Sequence, residues 1–170
     1  MQLYLNIKYK KIRIERNKME KIMKYINRVY RASLVDREAA FSDMGLQGHQ
    51  ISYIRMICAC EGLTQDELSR HLFLHKSSVA RQLKTLEDRG FVIRQVDEED
   101  KRIRRIYPTQ KSKALYPKIL EYLDDWDKKI THFIKEDERD YVINLLKNLA
   151  IGATKGTDNE RLIAYVKEGY

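Results

Sequence analysis

The residues best suited to chemistry lie between positions 77 and 89, where apolar and polar side chains recur at helical spacing. Val79, Leu83 and Leu86 fall on one face of this predicted helix. The other side carries hydroxyl, amide and cationic groups: Ser77, Arg81, Lys84 and Thr85 on the face itself, Ser78 and Gln82 on a flank, and Lys76 near the N-terminal end. Arginine pairs with guanine, and glutamine with adenine, in the major groove of DNA. The pattern therefore predicts a helix that reads base edges, with an ordinary solvated amphipathic helix as the alternative.

The segments on both sides of this helix have the order needed to position it. Thr64 and Glu67 form a capping box, which predicts a short helix ending near Leu72, followed by a turn at Phe73 and Leu74. Gly90 ends the second helix. Two β-compatible runs follow, at 91–96 and 103–107, joined by the charged residues 97–102. The sequence thus predicts a helix-turn-helix followed by a hairpin wing.

The predicted wing is rich in cations. It carries Arg94, Lys101, Arg102, Arg104 and Arg105. A hairpin of this size can lie along the DNA backbone and insert an arginine into the narrow minor groove. Asp100 can pair with Arg102 and hold its side chain extended. A generic solvated hairpin is the alternative interpretation.

Long helices are predicted on both sides of this region. Apolar spacing indicates a helix over 19–41 and a second from Ile51 to Cys58, with Gly45 and Gly48 breaking the pattern between them. Pro108 and Thr109 open a long helix with an apolar stripe to Phe133, and a further helix includes Tyr141 to Leu149. Alternation over 3–9 indicates an isolated strand, and 162–166 a short last helix. The outer helices cannot be buried by the central region, so they need each other or another chain.

Several motifs in this order resemble the MarR family of bacterial regulators. They are Leu63-Thr64-Gln65-Asp66-Glu67-Leu68, Lys76-Ser77-Ser78-Val79-Ala80-Arg81, Leu86-Glu87-Asp88-Arg89-Gly90-Phe91-Val92 and Asp97-Glu98-Glu99-Asp100-Lys101-Arg102. The resemblance covers roughly 45–149. His75 departs from it, standing where an Asp or Asn cap is common, and Ser112 replaces a frequent glycine.

The resemblance implies a mainly α fold with a small β-hairpin wing. Residues 1–18 and 157–170 lie outside the resemblance. We expect a basic N-terminal extension (1–18), an N-terminal dimerisation helix (19–44), a winged helix-turn-helix lobe (45–109) and C-terminal dimerisation helices (110–170). The resemblance implies a homodimer on a pseudo-palindromic double-stranded DNA operator, usually a repressor released by a small ligand or oxidant. Asp100 and Arg102 match the wing pair of the family, in which the arginine enters the minor groove.

Net charge supports this interpretation less than its size suggests. The chain of 170 residues has a net charge of +8, but residues 1–31 carry ten Lys and Arg against two Glu, and so hold the whole excess. No apolar run is long enough to span a bilayer, and the N-terminus does not resemble a signal peptide. The expected location is the cytoplasm.

Other candidate sites are weaker. His71 and His75 have ligand-like spacing but straddle a helix end, and no metal or cofactor is expected. Cys58 and Cys60 point roughly 200° apart on a helix, which favours core thiols over a redox sensor; Arg55 is the nearest cation in the sequence. Six aromatics are candidates for a ligand pocket or for packing: Tyr25, Tyr30, Phe41, Tyr53, Tyr122 and Trp126. No catalytic motif is present, so an enzyme is not expected. A winged helix used as a protein-interaction module, or a metal- or redox-responsive regulator, is the alternative.

Overall fold

The structure is a computed structural model that describes residues 21–154. Six α-helices run through this part of the chain: α1 Ile22–Ala40, α2 Gly48–Ala59, α3 Gln65–His71, α4 Lys76–Asp88, α5 Gln110–Thr131 and α6 Glu136–Thr154. A 3₁₀ turn, Ser42–Met44, follows α1, and three strands complete the fold: β1 Leu63–Thr64, β2 Val92–Val96 and β3 Arg104–Pro108. The mainly helical fold with a small hairpin is therefore confirmed. The strand predicted over 3–9 and the helix over 162–166 lie outside the described residues.

The three strands form one antiparallel sheet in the order β1-β3-β2. The predicted hairpin is confirmed, with Ile93 opposite Tyr107 and Gln95 opposite Arg105. The third strand was not predicted, because two residues are too few for an alternating pattern to be recognised. Leu63 pairs with Ile106, so β1 ties the start of the helix-turn-helix to the wing.

The helix-turn-helix forms around the predicted capping box. The Thr64 hydroxyl accepts from the backbone N–H of Glu67 at 3.2 Å, and the Glu67 carboxylate accepts from the backbone N–H of Thr64 at 2.9 Å. These bonds satisfy two donors that a helix start leaves free. The turn to α4 passes through Phe73, whose φ of 54° lies in the left-handed region. The adjacent peptide is fixed by the N–H of Leu74 donating to the carbonyl of Ser69 at 3.0 Å.

The core lies where α2 is surrounded by the sheet and by α4 and α5. Ile51, Ile54 and Ile57 of α2 are at most 1 % exposed. Side chains from the other elements complete this core: Leu68, Val79, Leu83, Leu86, Phe91, Ile106, Leu115 and Ile119. Because α4 contributes every third or fourth residue to the core, its orientation relative to α2 is fixed by packing.

Gly48 does not break the helical pattern, contrary to the prediction, but begins α2. A Cβ built on Gly48 would lie 2.0 Å from the carbonyl oxygen of Leu34 in α1. The glycine therefore allows the backbones of α1 and α2 to cross in direct contact. Glycine thus occurs at the start of this helix, despite its low helix propensity, because a larger residue would not fit against α1.

The outer helices expose large apolar side chains. On α1 these are Ile22, Met23, Tyr25, Val29, Tyr30 and Val35, and on α6 they are Tyr141, Ile143, Leu145 and Leu146. Phe133, between α5 and α6, is 71 % exposed. An apolar surface of this extent is typical of an interaction surface in a protein of this size.

Candidate nucleic-acid interface

Helix α4 has a buried apolar face and an exposed polar face. Val79, Leu83 and Leu86 are completely buried. Of the seven residues predicted on this helix, Lys76, Ser77, Arg81 and Lys84 are exposed, while Ser78, Gln82 and Thr85 are half-buried. Four of the seven side chains are therefore open to a partner, whereas Ser78 and Gln82 also line a cavity next to α2.

Some of these side chains already have partners. Lys76 Nζ lies 2.6 Å from Asp66 of α3, and Lys84 Nζ lies 3.8 Å from Asp88 one turn along α4. The Thr85 hydroxyl donates to the carbonyl of Arg81. Within residues 21–154 the Arg81 guanidinium makes no hydrogen bond or ion pair. Arg81 is therefore the best-placed group on this face for two-pronged contact with a base or phosphate.

Gln82 is held by a second glutamine beneath it. Its Oε1 accepts from Nε2 of Gln50 at 3.0 Å. Gln50 lies in α2 and is 2 % exposed. This contact could not be predicted from the sequence, since the two residues are far apart in the chain and lie on different helices.

His75 occupies the N-cap position of α4 and makes no side-chain cap bond. This agrees with its departure from the usual capping residue. The first turn is joined instead through backbone bonds, with the N–H groups of Ser78 and Val79 donating to the His75 carbonyl. The free N–H groups of this turn lie beside Ser77, where they favour an anion such as phosphate.

The tip of the wing is built around Asp97. Its Oδ1 accepts from the backbone N–H groups of Glu99 and Asp100, each at 2.9 Å, and its Oδ2 accepts from Arg105. The N–H of Asp100 and the Arg105 guanidinium lower the pKa of Asp97 to about 2. The acidic residues at the tip thus shape the turn.

Asp100 holds Arg102 as predicted. Asp100 Oδ1 accepts from the backbone N–H and from Nε of Arg102 at 3.0 and 3.1 Å, and Oδ2 accepts from Nη2 at 3.3 Å. The Arg102 side chain is nevertheless 91 % exposed. The pair therefore presents an extended guanidinium at the end of the hairpin. Lys101 and Arg104 are also exposed on this hairpin.

Two of the wing arginines have structural partners. Arg94 Nε donates to Glu87 of α4 at 3.0 Å, and this bond lowers the pKa of Glu87. Arg105 donates to Asp97 and, at 3.1 Å, to the carbonyl of Gly62. Arg94 therefore links β2 to α4, and Arg105 links β3 to the wing turn and to the residue before β1. The cationic groups free to reach outward are thus fewer than the sequence count indicates.

The other candidate residues are two histidines in the helix-turn-helix and two cysteines near the end of α2. His71 ends α3 and His75 begins α4, and among residues 21–154 no group of three or more His, Cys, Asp or Glu side chains is placed to hold a metal ion. Burial, with Glu61 nearby, raises the pKa of Cys58 to about 11. The influential cation beside this thiol is Lys113, not Arg55 as the sequence indicated, and it does not overcome the burial.

A cavity of about 390 Å³ lies between α1, α2 and the helix-turn-helix. Of the six aromatics considered, Tyr30 and Tyr53 line it, whereas Phe41 and Tyr122 pack edge-to-face on each other in the core. The Tyr53 hydroxyl is buried without a partner within the described residues. Polar lining comes from residues that the sequence did not single out for a pocket: His49, Ser52, Arg55, His71, Ser78 and Gln82.

No helix within residues 21–154 has the length and hydropathy needed to cross a membrane.

Comparison with known proteins finds bacterial regulators that are similar to this lobe. A sequence profile described as the MarR family matches residues 44–103. The HTH-type transcriptional regulator YybA of Bacillus subtilis is 31 % identical over 99 residues, which are 58 % of this chain and 66 % of YybA. The matched part therefore spans just under two thirds of that relative.

Solved structures share the fold over a longer stretch. The transcriptional regulator SlyA superimposes with a TM-score of 0.70 at 28 % identity, covering 76 % of this chain and 94 % of SlyA. A MarR family regulator from Listeria monocytogenes, complexed with 26mer DNA, superimposes with a TM-score of 0.75 at 24 % identity, covering 89 % and 97 % of the two chains. These relatives are described as transcriptional regulators and not as enzymes.

Proposed function

We propose that the chain is a member of the MarR family, whose profile matches residues 44–103. The proposed function is that of a cytoplasmic transcriptional regulator, a repressor that binds a pseudo-palindromic DNA operator as a homodimer. The observation that carries it is the polar outer face of α4 beside a wing whose Arg102 is held extended by Asp100. Each lobe would place α4 in the major groove and Arg102 in the adjacent minor groove.

Dimerisation is supported by the apolar residues exposed on α1 and α6. Their side chains are exposed in the single chain, and a second copy of the chain would cover them. We assign 19–44 and 110–170 to this dimer and 45–109 to the DNA-binding lobe. The two α4 helices must then lie about 34 Å apart to meet successive major grooves on one face of the duplex.

Control by a small effector is supported by the cavity between α1, α2 and the helix-turn-helix. Ser78 and Gln82 of α4 form part of its wall, as do His49 and Arg55 of α2. A ligand bound there would contact both the outer helix and the DNA-reading helix. It would lower DNA affinity if it fitted the DNA-bound arrangement less well than the free one.

The test is a comparison of two duplexes at two salt concentrations. Affinity is measured for a palindrome from the upstream region of the gene and for a random duplex of equal length. We expect the palindrome to bind at least about a thousandfold more tightly at physiological salt, and both affinities to fall as salt rises. Equal affinity for the two duplexes would reject a specific regulator and favour the winged helix as a protein-interaction module.

A further inference from the structure

The side chain of Gln50 is buried and lies between the backbone of Gln47 and the side chain of Gln82. The argument begins at the backbone N–H of Gln47, which precedes α2. This group donates to Oε1 of Gln50 at 3.0 Å. A backbone N–H is only ever a donor, so the side-chain atom facing it must be the carbonyl oxygen of Gln50. The orientation of the Gln50 amide, which is often ambiguous, is therefore fixed by the chain itself.

The second step passes from α2 to α4. With its oxygen turned to Gln47, Gln50 directs Nε2 at Gln82, 3.0 Å from Oε1 of that residue. An NH₂ group only donates, so Gln82 must offer its oxygen here. Gln50 is 2 % exposed, so water cannot easily reach its side chain, and losing this hydrogen bond would be costly. The N–H of Gln47 thus fixes the orientation of the Gln50 amide, which in turn fixes the orientation of the Gln82 amide.

The third step concerns the side of Gln82 that faces away from α2. Oxygen and nitrogen occupy opposite branches of a planar amide, so the Gln82 NH₂ points away from Gln50. Gln82 is half-buried, on the flank of the polar face that includes Arg81. Within residues 21–154 its NH₂ group makes no hydrogen bond, whereas its oxygen is turned to Gln50, so the donors are the groups left to meet a base.

We propose, on the basis of the DNA-binding function above, that Gln50 is a positioning residue that makes Gln82 select keto bases over amino bases at one position of each half-site. Guanine offers the acceptors O6 and N7 in the major groove, and thymine offers O4. Adenine and cytosine present the donors N6 and N4, which would face the donors of Gln82. The two-bond pairing of glutamine with adenine needs both the oxygen and the nitrogen of the amide turned to the base, and in this arrangement the oxygen is turned to Gln50.

The experiment selects bound duplexes from a pool randomised over about 20 base pairs, enough for two half-sites, with the full-length protein. Gln82→Met identifies the position, because the preference contributed by Gln82 disappears there alone. At that position we expect the unsubstituted protein to favour guanine or thymine by about tenfold, the effect of one hydrogen bond.

Two substitutions of Gln50 then separate positioning from folding. Gln50→Met keeps the shape but removes both bonds, so Gln82 can turn and we expect the keto preference to fall at least fivefold as adenine is recovered. Gln50→Glu, above the pKa of its carboxyl group, accepts from both neighbours, so the Gln82 amide reverses and the preference moves to adenine or cytosine. Gln110→Met and Gln110→Glu, the same changes at an exposed position in α5, should leave every position unchanged.

The outcomes distinguish this inference from the function on which it rests. If the unsubstituted protein enriches no sequence, the proposed function fails. If it enriches a sequence but favours an amino base at the Gln82 position, or if both Gln50 variants keep the keto preference, the positioning role is overturned. Loss of enrichment at all positions together in both Gln50 variants would mean that Gln50 supports folding only, and would also overturn it.

Discussion

At the scale of single residues, Gly48 has the most stringent environment of the glycines described. The crossing of α1 and α2 leaves no room for a Cβ at this point, because the nearest atom is backbone and cannot rotate away. Gly152, in α6, has nothing within 4 Å of a Cβ built on it. An alanine side chain would therefore clash with backbone at Gly48 and lie in open space at Gly152.

We expect Gly48→Ala to lower the free energy of unfolding by about 3 kcal/mol, since the helices must separate or the backbone must distort. Gly152→Ala, the matched control, should raise it by up to about 1 kcal/mol because alanine is the better helix former. Urea unfolding followed by circular dichroism measures both. Equal changes in the two variants would show that the α1–α2 crossing is not a tight backbone contact in solution.

Arg102 is the residue on which the assignment of the wing depends. Arg102→Ala removes an exposed guanidinium held by Asp100, and we expect operator affinity to fall by about tenfold or more. The control is Lys128→Ala, which removes an exposed cation that is paired with Asp125 on α5. Fluorescence anisotropy with a labelled operator gives both affinities. Indistinguishable losses would place the DNA contact elsewhere than the wing.

At the scale of elements, the carboxylate of Asp97 anchors two backbone amides of the wing turn. Asp97→Ala removes the acceptor for the backbone N–H groups of Glu99 and Asp100. We expect these two amides to exchange hydrogen faster by at least about tenfold, while Glu98→Ala, at an exposed neighbour, leaves them unchanged. Amide exchange followed by NMR separates the two variants.

The same carboxylate predicts how the wing responds to acid. The pKa of Asp97 is about 2 in the folded chain against 3.8 for a free carboxyl. A lowered folded pKa stabilises the protein above the unfolded pKa, and the contribution is lost as pH falls through the folded value. The amides of Glu99 and Asp100 should therefore remain protected from pH 8 down to about 4 and lose protection between about 4 and 2. Loss of protection already near pH 6 would contradict this anchoring.

The sequence predicted the elements that have a strong local signal. The capping box at Thr64 placed α3, and the Asp100–Arg102 pair was evident because its two members are two residues apart. Contacts between distant residues could not be predicted in this way. β1 is two residues long and exists only through β3, Gln50 and Gln82 meet only after α2 and α4 pack, and the helix start at Gly48 depends on Leu34.

At the scale of the whole molecule, the exposed faces of α1 and α6 predict the oligomeric state. We expect the chain of 20.3 kDa to sediment as a dimer of twice that mass. Tyr141 and Leu145, one turn apart on α6, are 71 % and 47 % exposed. Replacing both with Asp should give a folded monomer, because two charges would have to be buried at the contact.

Such a monomer should bind a palindromic operator at least about a hundredfold more weakly, since it loses the second, linked contact. The control replaces Asn144 and Asn148, already polar on the same helix, with Asp. Analytical ultracentrifugation measures mass, and anisotropy measures affinity. A dimer that survives Tyr141→Asp with Leu145→Asp would move the proposed interface away from α6.

The short strand β1 also constrains the order in which the protein folds. Leu63 must wait for Ile106 before it can pair, so the sheet cannot close until more than 40 further residues have left the ribosome. The stretch matched by the family profile ends at residue 103, one position before β3 begins. A nascent chain or proteolytic fragment that stops there would carry the recognisable signature and still lack the strand that joins its two halves.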